Sequence, residues 1–335
     1  MLPSTASNPR RTFSLTGVLF AAGGLALLVW VVSRVGVAEI AADVRKVGWG
    51  LAAIIGIGGL RFLLRAAAWR VCLDPPHHLR LRDAFAAVIC GDAIGNLTPL
   101  GPLVGEPAKA AFVRGRVALT PALTALAIEN LLYTLSAAAM IAAGMVALLV
   151  RFQVPPGVRG VGELAIAATF ALFVTALWML WRQPALVSRA LGGVPPLRKH
   201  ADRIREIEEQ VYTFASRHRA ALPALAAAEI GFHALGVTEI YLTLWLLNGA
   251  PPALLTAFLF ETANRLITVV FKVVPLRLGV DEVGTAGFAL LIGLPQNTGL
   301  TLAILRKARM VFWAAAGGVL LVREGLSGRV APGGS

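Results

Sequence analysis

The chain has 335 residues, of which 57% are hydrophobic and 15% are charged, whereas soluble domains have about 45–50% and about 25%. Its 31 Lys and Arg outweigh 18 Asp and Glu, a formal net charge of +13, without any helix-turn-helix, zinc-finger or aromatic RNA-binding pattern. Composition therefore excludes a disordered chain, a disulfide scaffold and a cytosolic enzyme, and it argues against a nucleic-acid partner. It predicts a polytopic membrane protein.

Apolar stretches about as long as a bilayer-spanning helix, which needs ~20 residues, recur along the chain. Those without any charge are 13–32, 130–150 and 164–181. Those that carry ionisable residues are about 48–72, 221–248, 252–274 and 300–322. Two further apolar segments, about 84–113 and 275–295, are interrupted by Pro and Gly. Because no strand-like alternation repeats along the chain, the spans are predicted to be helices.

These elements predict an all-α membrane bundle of about seven or eight transmembrane helices plus two re-entrant broken segments. One integral-membrane domain, 1–325, would consist of a first half at about 13–181 and a second at about 221–322, followed by a disordered tail at 326–335. The basic connection 182–220 has apolar residues three or four positions apart, which predicts an amphipathic helix over 197–214 on the cytoplasmic surface. A weaker surface helix is predicted at 33–47. The distribution of Lys and Arg places the amino terminus in the cytoplasm.

The two broken segments resemble each other, which indicates an internal repeat. Pro99 to Glu106 can be laid over Pro275 to Glu282 with the same spacing of seven positions. Pro and acidic residues are both disfavoured in lipid, so their recurrence at one spacing is informative. Paired broken segments are the best sequence indicator of a transporter's binding site. The alternative is a pair of kinked helices whose Glu residues merely cap the restarting helix.

A helix that restarts after each break would direct free backbone N–H groups into the protein, an arrangement that suits an anion such as phosphate. We therefore expect Glu106 and Glu282 to meet around one buried hydrophilic cavity.

The motifs resemble the transmembrane domain of the lysylphosphatidylglycerol synthase family, also described as flippase-like membrane proteins. Asn96-Leu97-Thr98-Pro99, then Gly105-Glu106 and Lys109, resemble its first signature. Pro275 with Gly279-Val280-Asp281-Glu282, followed by a terminal span with Arg306 and Arg309, resembles its second. The resemblance covers about 14–322. It implies an all-helical membrane domain that moves a lipid, or a lipid-linked headgroup, between leaflets.

Two departures from the family pattern concern the second signature. Leu278 replaces a common Gly, and Asp281 replaces a common basic residue. The soluble aminoacyl-transferase domain of full-length synthases has no counterpart after the last predicted span, so lipid aminoacylation is not expected.

No catalytic constellation accompanies the predicted spans. The sequence has no H-E-x-x-H, no G-x-S-x-G and no Asp-rich pair at helical spacing, and Asp92 is a weak candidate base. No catalytic residue, metal or cofactor is expected, and the protein is predicted not to be an enzyme. Two alternatives to a flippase remain open. One is a membrane-anchoring partner of a lipid synthase or glycosyltransferase, and the other is an integral-membrane lipid or glycan transferase.

Charges inside predicted spans need partners, because each is unfavourable by ~2.5–3.5 kcal/mol on insertion scales. Arg61 is expected to pair with an acid from another helix, whereas Arg65 fits snorkelling to the interface. Glu261 and the residue four positions later, Arg265, can form an ion pair. His233, four positions after a Glu, is either a satisfied core residue or part of a proton relay.

The candidate headgroup site combines the motif residues with nearby charged residues. Its cations would hold a phosphate, and its carboxylates would accept an amine or sugar hydroxyl or shuttle a proton. The expected substrate is a membrane lipid or a polyprenyl-phosphate-linked molecule, and the Ala-, Arg- and Gly-rich composition suggests a bacterial inner membrane. The site residues are Asn96, Pro99, Gly105, Glu106, Lys109, Glu129, Glu261, Arg265, Lys272, Pro275, Gly279, Glu282, Arg306 and Arg309.

Overall fold

The structure of the protein is a computed structural model that describes residues 45–98, 101–183, 185, 188–189, 201–272 and 274–326. These residues form α-helices and short 3₁₀ turns, and no β-strand occurs among them, which confirms the predicted all-α fold. Several predicted features lie outside the described residues. They are the first span at 13–32, most of the surface helix at 33–47, Pro99, most of 184–200 and the tail beyond residue 326.

The helices follow one another with short connections, and 3₁₀ turns at Arg219–Ala221 and Pro275–Arg277 precede two of the helices. Their bounds are α1 Gly50–Val71, α2 Leu81–Leu97, α3 Gly101–Phe112, α4 Leu119–Arg151, α5 Pro156–Arg182, α6 Ala201–Arg217, α7 Leu222–Asn248, α8 Leu254–Val270, α9 Val280–Leu291 and α10 Gln296–Leu326.

Four described helices are long and apolar enough to cross a membrane: α1, α4, α5, and α7 together with its preceding turn. The predicted spans with several charges, 252–274 and 300–322, coincide with α8 and α10. These two helices are shorter or more polar than the four apolar ones, and charged residues of both face the protein interior. Such inward placement is the usual arrangement for ionisable residues in membrane helices.

The helix order repeats along the chain. In each half a helix is followed by a break, a 12-residue helix and a long helix: α2, α3 and α4 in the first half, α8, α9 and α10 in the second. A 12-residue helix is about 18 Å long, too short to cross a hydrocarbon layer of about 30 Å. Neither short helix can span the bilayer alone, and the predicted breaks in both segments are present.

The long helix α4 begins earlier than the sequence indicated. The predicted span was 130–150, with Glu129 at its start, but the helix begins at Leu119 and buries Glu129 three turns in. Pro121 lies in its first turn, where the missing N–H is not needed for helix bonding. That Pro was the available signal for the true start, because Pro is tolerated in the first helical turn and disrupts a helix interior.

The basic connection contains the predicted amphipathic helix, which the structure places at α6. Phe214 on its apolar face is buried in a core cluster with residues of α1 to α4, and α6 packs against α4 and α5. The helix itself carries three Arg and four acidic residues. The positive charge of the connection 182–220 therefore comes from the residues that flank the helix.

Three apolar clusters surround a polar layer along the bundle. Trp69 of α1 belongs to one cluster, Phe260 of α8 to another, and Ile54 of α1 to a third. Arg61 and Arg65 lie between Ile54 and Trp69 on α1. The bundle therefore places charged side chains at mid-height with apolar packing above and below.

Close packing between α2 and α3 depends on glycine. A Cβ at Gly105 would lie 2.7 Å from the carbonyl oxygen of Gly91 and 3.3 Å from the Cα of Gly95. Backbone atoms cannot move aside as a flexible side chain can, so the two helices would have to separate.

We expect Gly105→Ala to lower the free energy of unfolding by about 1–3 kcal/mol, the usual range for overpacking. Equilibrium unfolding of the detergent-purified protein measures it. Gly287→Ala on α9 is the matched control, because no atom lies within 4 Å of its added Cβ. Equal stability of the two variants would show that α2 and α3 are not closely packed.

Candidate functional site

Two adjoining cavities of about 440 and 190 Å³ lie in the polar layer. They share lining residues from α1, α2, α4, α7 and α8, and Asp92 and Tyr133 belong to both. Residues of α3 line the larger cavity, and residues of the 3₁₀ turn, α9 and α10 line the smaller one. The two predicted broken segments therefore contribute to one continuous space, which we call the furrow.

The furrow carries more basic than acidic side chains. Its lining carboxylates are those of Asp92, Glu106 and Asp281. Four more carboxylates, behind the lining, form ion pairs with furrow cations: Glu129, Glu239, Glu261 and Glu282. The nine basic side chains that line the furrow are Arg61, Arg65, Lys109, Arg265, Lys272, Arg277, Arg306, Lys307 and Arg309.

Glu106 and Asp92 supply acceptors at the larger cavity. Lys109 Nζ donates to Glu106 Oε1 at 2.6 Å, and Asn130 Nδ2 donates to its Oε2 at 2.8 Å. The Glu106 side chain nevertheless keeps 30% of its surface exposed. Asp92 accepts from Asn96 Nδ2 at 2.8 Å, and no described cation lies within ion-pair distance of it. Both carboxylates can therefore accept a hydrogen bond from a ligand.

A chain of ion pairs connects four helices beside the furrow. Arg61 of α1 bridges Glu239 of α7 and Glu261 of α8, with N···O distances of 3.3 Å to each. Glu239 also forms an ion pair with Arg309 of α10, with an N···O distance of 2.9 Å, and Glu261 also pairs with Arg265. Both sequence expectations, the pairing of Arg61 with acids of other helices and the pairing of Glu261 with Arg265, are confirmed.

Arg65 is held inside the bundle. Its Nε lies 2.6 Å from Glu129 Oε1, and its guanidinium lies 4.1 Å from the Tyr133 ring centroid. The expectation that Arg65 snorkels to the interface is therefore wrong. The reason is that the early start of α4 places Glu129 opposite α1.

The second broken segment differs from the first in the role of its Glu. Glu282 Oε2 accepts from the backbone N–H of Gly279 at 2.8 Å, so Glu282 caps α9 and does not line the furrow. Gly279, whose φ is +80°, suits this turn because it has no Cβ. The expectation that Glu106 and Glu282 meet around one cavity is wrong. With Pro99 laid over Pro275, α9 begins three positions later than α3, which makes Glu282 the third residue of its helix.

Asp281 takes the furrow-facing position beside that cap. It accepts from Arg277 Nε and lies 3.2 Å from Lys307 Nζ. Lys307 also donates to the carbonyl oxygen of Leu276 in the turn. The acid at the position where the family commonly has a basic residue thus holds two cations at the furrow wall.

Arg306 differs from the other arginines of the furrow in having no described carboxylate partner. Arg65 and Arg309 also have a buried nitrogen without a hydrogen-bond partner, but each forms an ion pair. Its Nη2 donates to Thr285 Oγ1 at 2.6 Å, while its Nη1 is buried without any hydrogen-bond partner. Only 8% of the residue is exposed, and no described carboxylate lies within 4 Å of its guanidinium. A buried guanidinium N–H without an acceptor is strongly unfavourable. An anion in the smaller cavity would satisfy it.

The structure brings eight of the predicted site residues to the furrow. Glu129 and Glu261 lie behind the lining as partners of arginines. Gly279 and Glu282 form the cap of α9, Pro275 begins the preceding turn, and Pro99 lies outside the described residues. The eight that line the furrow are Asn96, Gly105, Glu106, Lys109, Arg265, Lys272, Arg306 and Arg309.

Several furrow residues were absent from the predicted site. Asp92 is unpaired in sequence, but its intramembrane charge was a signal for it. Arg277 and Lys307 flank motif positions, so proximity to the repeat also indicated them. Tyr133, whose hydroxyl accepts from Arg265 Nη1 at 2.9 Å, gave no signal in the sequence. Among the described residues, no group of three or more His, Cys, Asp and Glu side chains is placed to hold a metal ion.

The comparisons with known proteins agree with the predicted family. Residues 14–318 match the family model described as "Lysylphosphatidylglycerol synthase TM region". No curated protein and no solved structure matches the chain significantly. The family match covers nearly the whole chain, including every described residue that lines the furrow. The chain therefore belongs to the lysylphosphatidylglycerol synthase TM region family, and it is a multi-pass membrane protein.

Proposed function

We propose that this protein moves a phosphate-bearing lipid, or a lipid-linked headgroup, between the two leaflets of the membrane. The observation that carries the proposal is the unpartnered Nη1 of Arg306 in a cavity lined by six Lys and Arg side chains and two carboxylates. Among lipid groups, phosphate has the charge and the acceptor oxygens that a guanidinium recognises. Membership of a lipid-related membrane family supports the same class of substrate.

The physical barrier to lipid movement is the charged headgroup. Burying an unpaired ion in hydrocarbon is unfavourable by many kcal/mol, whereas the tails already lie in that environment. The furrow would replace headgroup hydration with Arg and Lys donors while the tails remain in lipid. The two repeated helix units on either side of the furrow provide the two bodies that alternating access requires.

We also propose a bacterial inner membrane as the location, with the amino terminus in the cytoplasm. The excess of Lys and Arg at the amino terminus and in the connection 182–220 supports this orientation. The polar faces of α6 would then face the cytoplasm. Labelling of single cysteines at each end of α5 with a membrane-impermeant reagent tests the orientation.

Leaflet exchange in proteoliposomes tests the transport function. Vesicles that contain the purified protein receive one fluorescent lipid at a time: a phospholipid, a polyprenyl phosphate, or a glycolipid without phosphate. We expect at least one phosphate-bearing lipid to exchange about tenfold faster or more than in protein-free vesicles. The phosphate-free glycolipid should exchange at the protein-free rate.

Two other outcomes would replace the proposal. If no phosphate-bearing lipid exchanges faster than in protein-free vesicles, a membrane-anchoring partner of a lipid synthase or glycosyltransferase becomes the better account. Chemical conversion of a lipid-linked donor without movement would instead indicate a transferase.

A further inference from the structure

A polar cluster lies outside the lining of the furrow. It lies between α4 and α7 and consists of Ser136, Glu229 and His233. Glu229 is only 7% exposed, and no described Lys or Arg lies within ion-pair distance of it. A carboxyl group in this position among apolar helices needs an explanation, because burying an unpaired carboxylate is strongly unfavourable.

The geometry around the Ser136 hydroxyl allows two arrangements of the protons in this cluster. Ser136 Oγ lies 2.9 Å from the Tyr133 carbonyl oxygen, 2.8 Å from Glu229 Oε2 and 3.0 Å from His233 Nε2. A hydroxyl donates one hydrogen bond and accepts two. The hydroxyl can donate its one hydrogen to Glu229 Oε2, which then accepts as a carboxylate. It can instead donate to the Tyr133 carbonyl oxygen, and a protonated Glu229 then donates to Ser136 Oγ. Ser136 can therefore hold Glu229 by a hydrogen bond both with and without a proton.

The cluster is in contact with the furrow through Tyr133. The His233 ring stacks on the Tyr133 ring, with centroids 6.3 Å apart and planes 12° apart. Tyr133 lines both cavities and accepts a hydrogen bond from Arg265, and it also lies under the guanidinium of Arg65. The charged or titratable groups that interact electrostatically with Glu229 or His233 are Arg61 and Arg65 on α1, Cys72 just after α1, and Glu129 and Tyr133 on α4. Arg265 and its partner Glu261 on α8 are connected to the cluster through Tyr133.

Loss of the proton would change the partners of a furrow cation. Arg65 is near enough to act electrostatically on Glu229, and it is now held by Glu129. A deprotonated Glu229 would compete with Glu129 for the Arg65 guanidinium. The proton on Glu229 thereby favours one arrangement of the furrow lining and its loss favours another, as coupled transport requires.

We propose that Glu229 is a proton-binding site that couples lipid movement to the proton gradient, an inference that rests on the proposed lipid transport. The proton binds to a carboxylate oxygen of Glu229, and Ser136 and His233 position the carboxyl group. One proton per lipid would support an accumulation of lipid in one leaflet of about tenfold for each unit of pH difference.

Steady-state leaflet distribution in proteoliposomes with an imposed pH difference tests the proposal. A labelled phospholipid or polyprenyl phosphate is followed with a quencher that reaches only the outer leaflet. We expect the wild-type protein to accumulate the lipid in one leaflet. Glu229→Gln should still exchange lipid but leave it evenly distributed. Glu163→Gln, at an exposed carboxylate paired with Arg159 on α5, is the matched control and should behave as wild type.

The outcomes separate the two proposals. Fast wild-type exchange with an even distribution under a pH difference overturns the proton site and leaves lipid transport standing. Accumulation by Glu229→Gln also overturns the proton site. Absence of exchange by the wild type overturns lipid transport and, with it, the coupling.

A second variant tests the proton site if Glu229→Gln does not fold. Ser136→Ala removes the hydroxyl and keeps the carboxyl group. We expect infrared difference spectra between acidic and alkaline samples to show a protonated carboxyl band that Ser136→Ala shifts. No band, or no shift, would overturn the assignment.

Discussion

Glu261→Gln is expected to lower the free energy of unfolding by about 3–5 kcal/mol, the loss typical when one partner of a buried ion pair is removed. Glu261 is 1% exposed and holds both Arg61 and Arg265. Its removal leaves Arg265 without a carboxylate and Arg61 with one of its two. Gly236 packs directly on this carboxylate, since a Cβ there would lie 2.7 Å from Glu261 Cδ. Little space therefore exists for a water molecule to replace the interactions that the two arginines lose.

Equilibrium unfolding of detergent-purified variants measures this effect. Glu163→Gln is the control of the same chemistry, because its side chain is 59% exposed and pairs with an exposed arginine. Its effect should be within about 0.5 kcal/mol of zero. The double variant Glu261→Gln with Arg265→Gln should recover part of the loss, since it removes the uncompensated cation. Near-equal stability of Glu261→Gln and wild type would contradict the buried network.

The sequence predicts the helices and their breaks because both depend on local chemistry. Apolar length determines a span, and Pro with Gly determines a break, so 48–72 and 221–248 agree closely with α1 and α7. A four-residue spacing within one helix also determines a contact directly. The pairing of Glu261 with Arg265 was predictable for this reason.

The furrow itself depends on how distant helices approach, which one sequence does not encode visibly. Asp92 and Arg277 are 185 positions apart but line the same cavities. The role of Glu282 depends on a shift of three positions in where α9 begins. A motif alignment cannot show such a shift, because it matches residue types and does not show the position at which each helix begins.

Arg306→Gln is expected to change stability and transport in opposite directions. The substitution removes a buried charge that has no carboxylate partner, and Gln can retain a hydrogen bond to Thr285. We therefore expect the free energy of unfolding to rise by about 1 kcal/mol or more. Loss of a charged hydrogen bond to phosphate, worth about 1.5–3 kcal/mol, should slow exchange of a phosphate-bearing lipid by about one to two orders of magnitude.

The combination of both measurements distinguishes a binding role from a structural one. Arg306→Lys keeps the charge but not the planar donor pair, so exchange should fall between that of wild type and Arg306→Gln. Arg309→Gln is the matched comparison on the same helix. Arg309→Gln removes one of the two cations that pair with Glu239. We therefore expect Arg309→Gln to destabilise the protein, whereas Arg306→Gln stabilises it. If Arg306→Gln is instead as destabilising as Glu261→Gln and exchanges lipid at the wild-type rate, Arg306 is a packing residue. The phosphate must then be bound by other basic side chains that line the furrow.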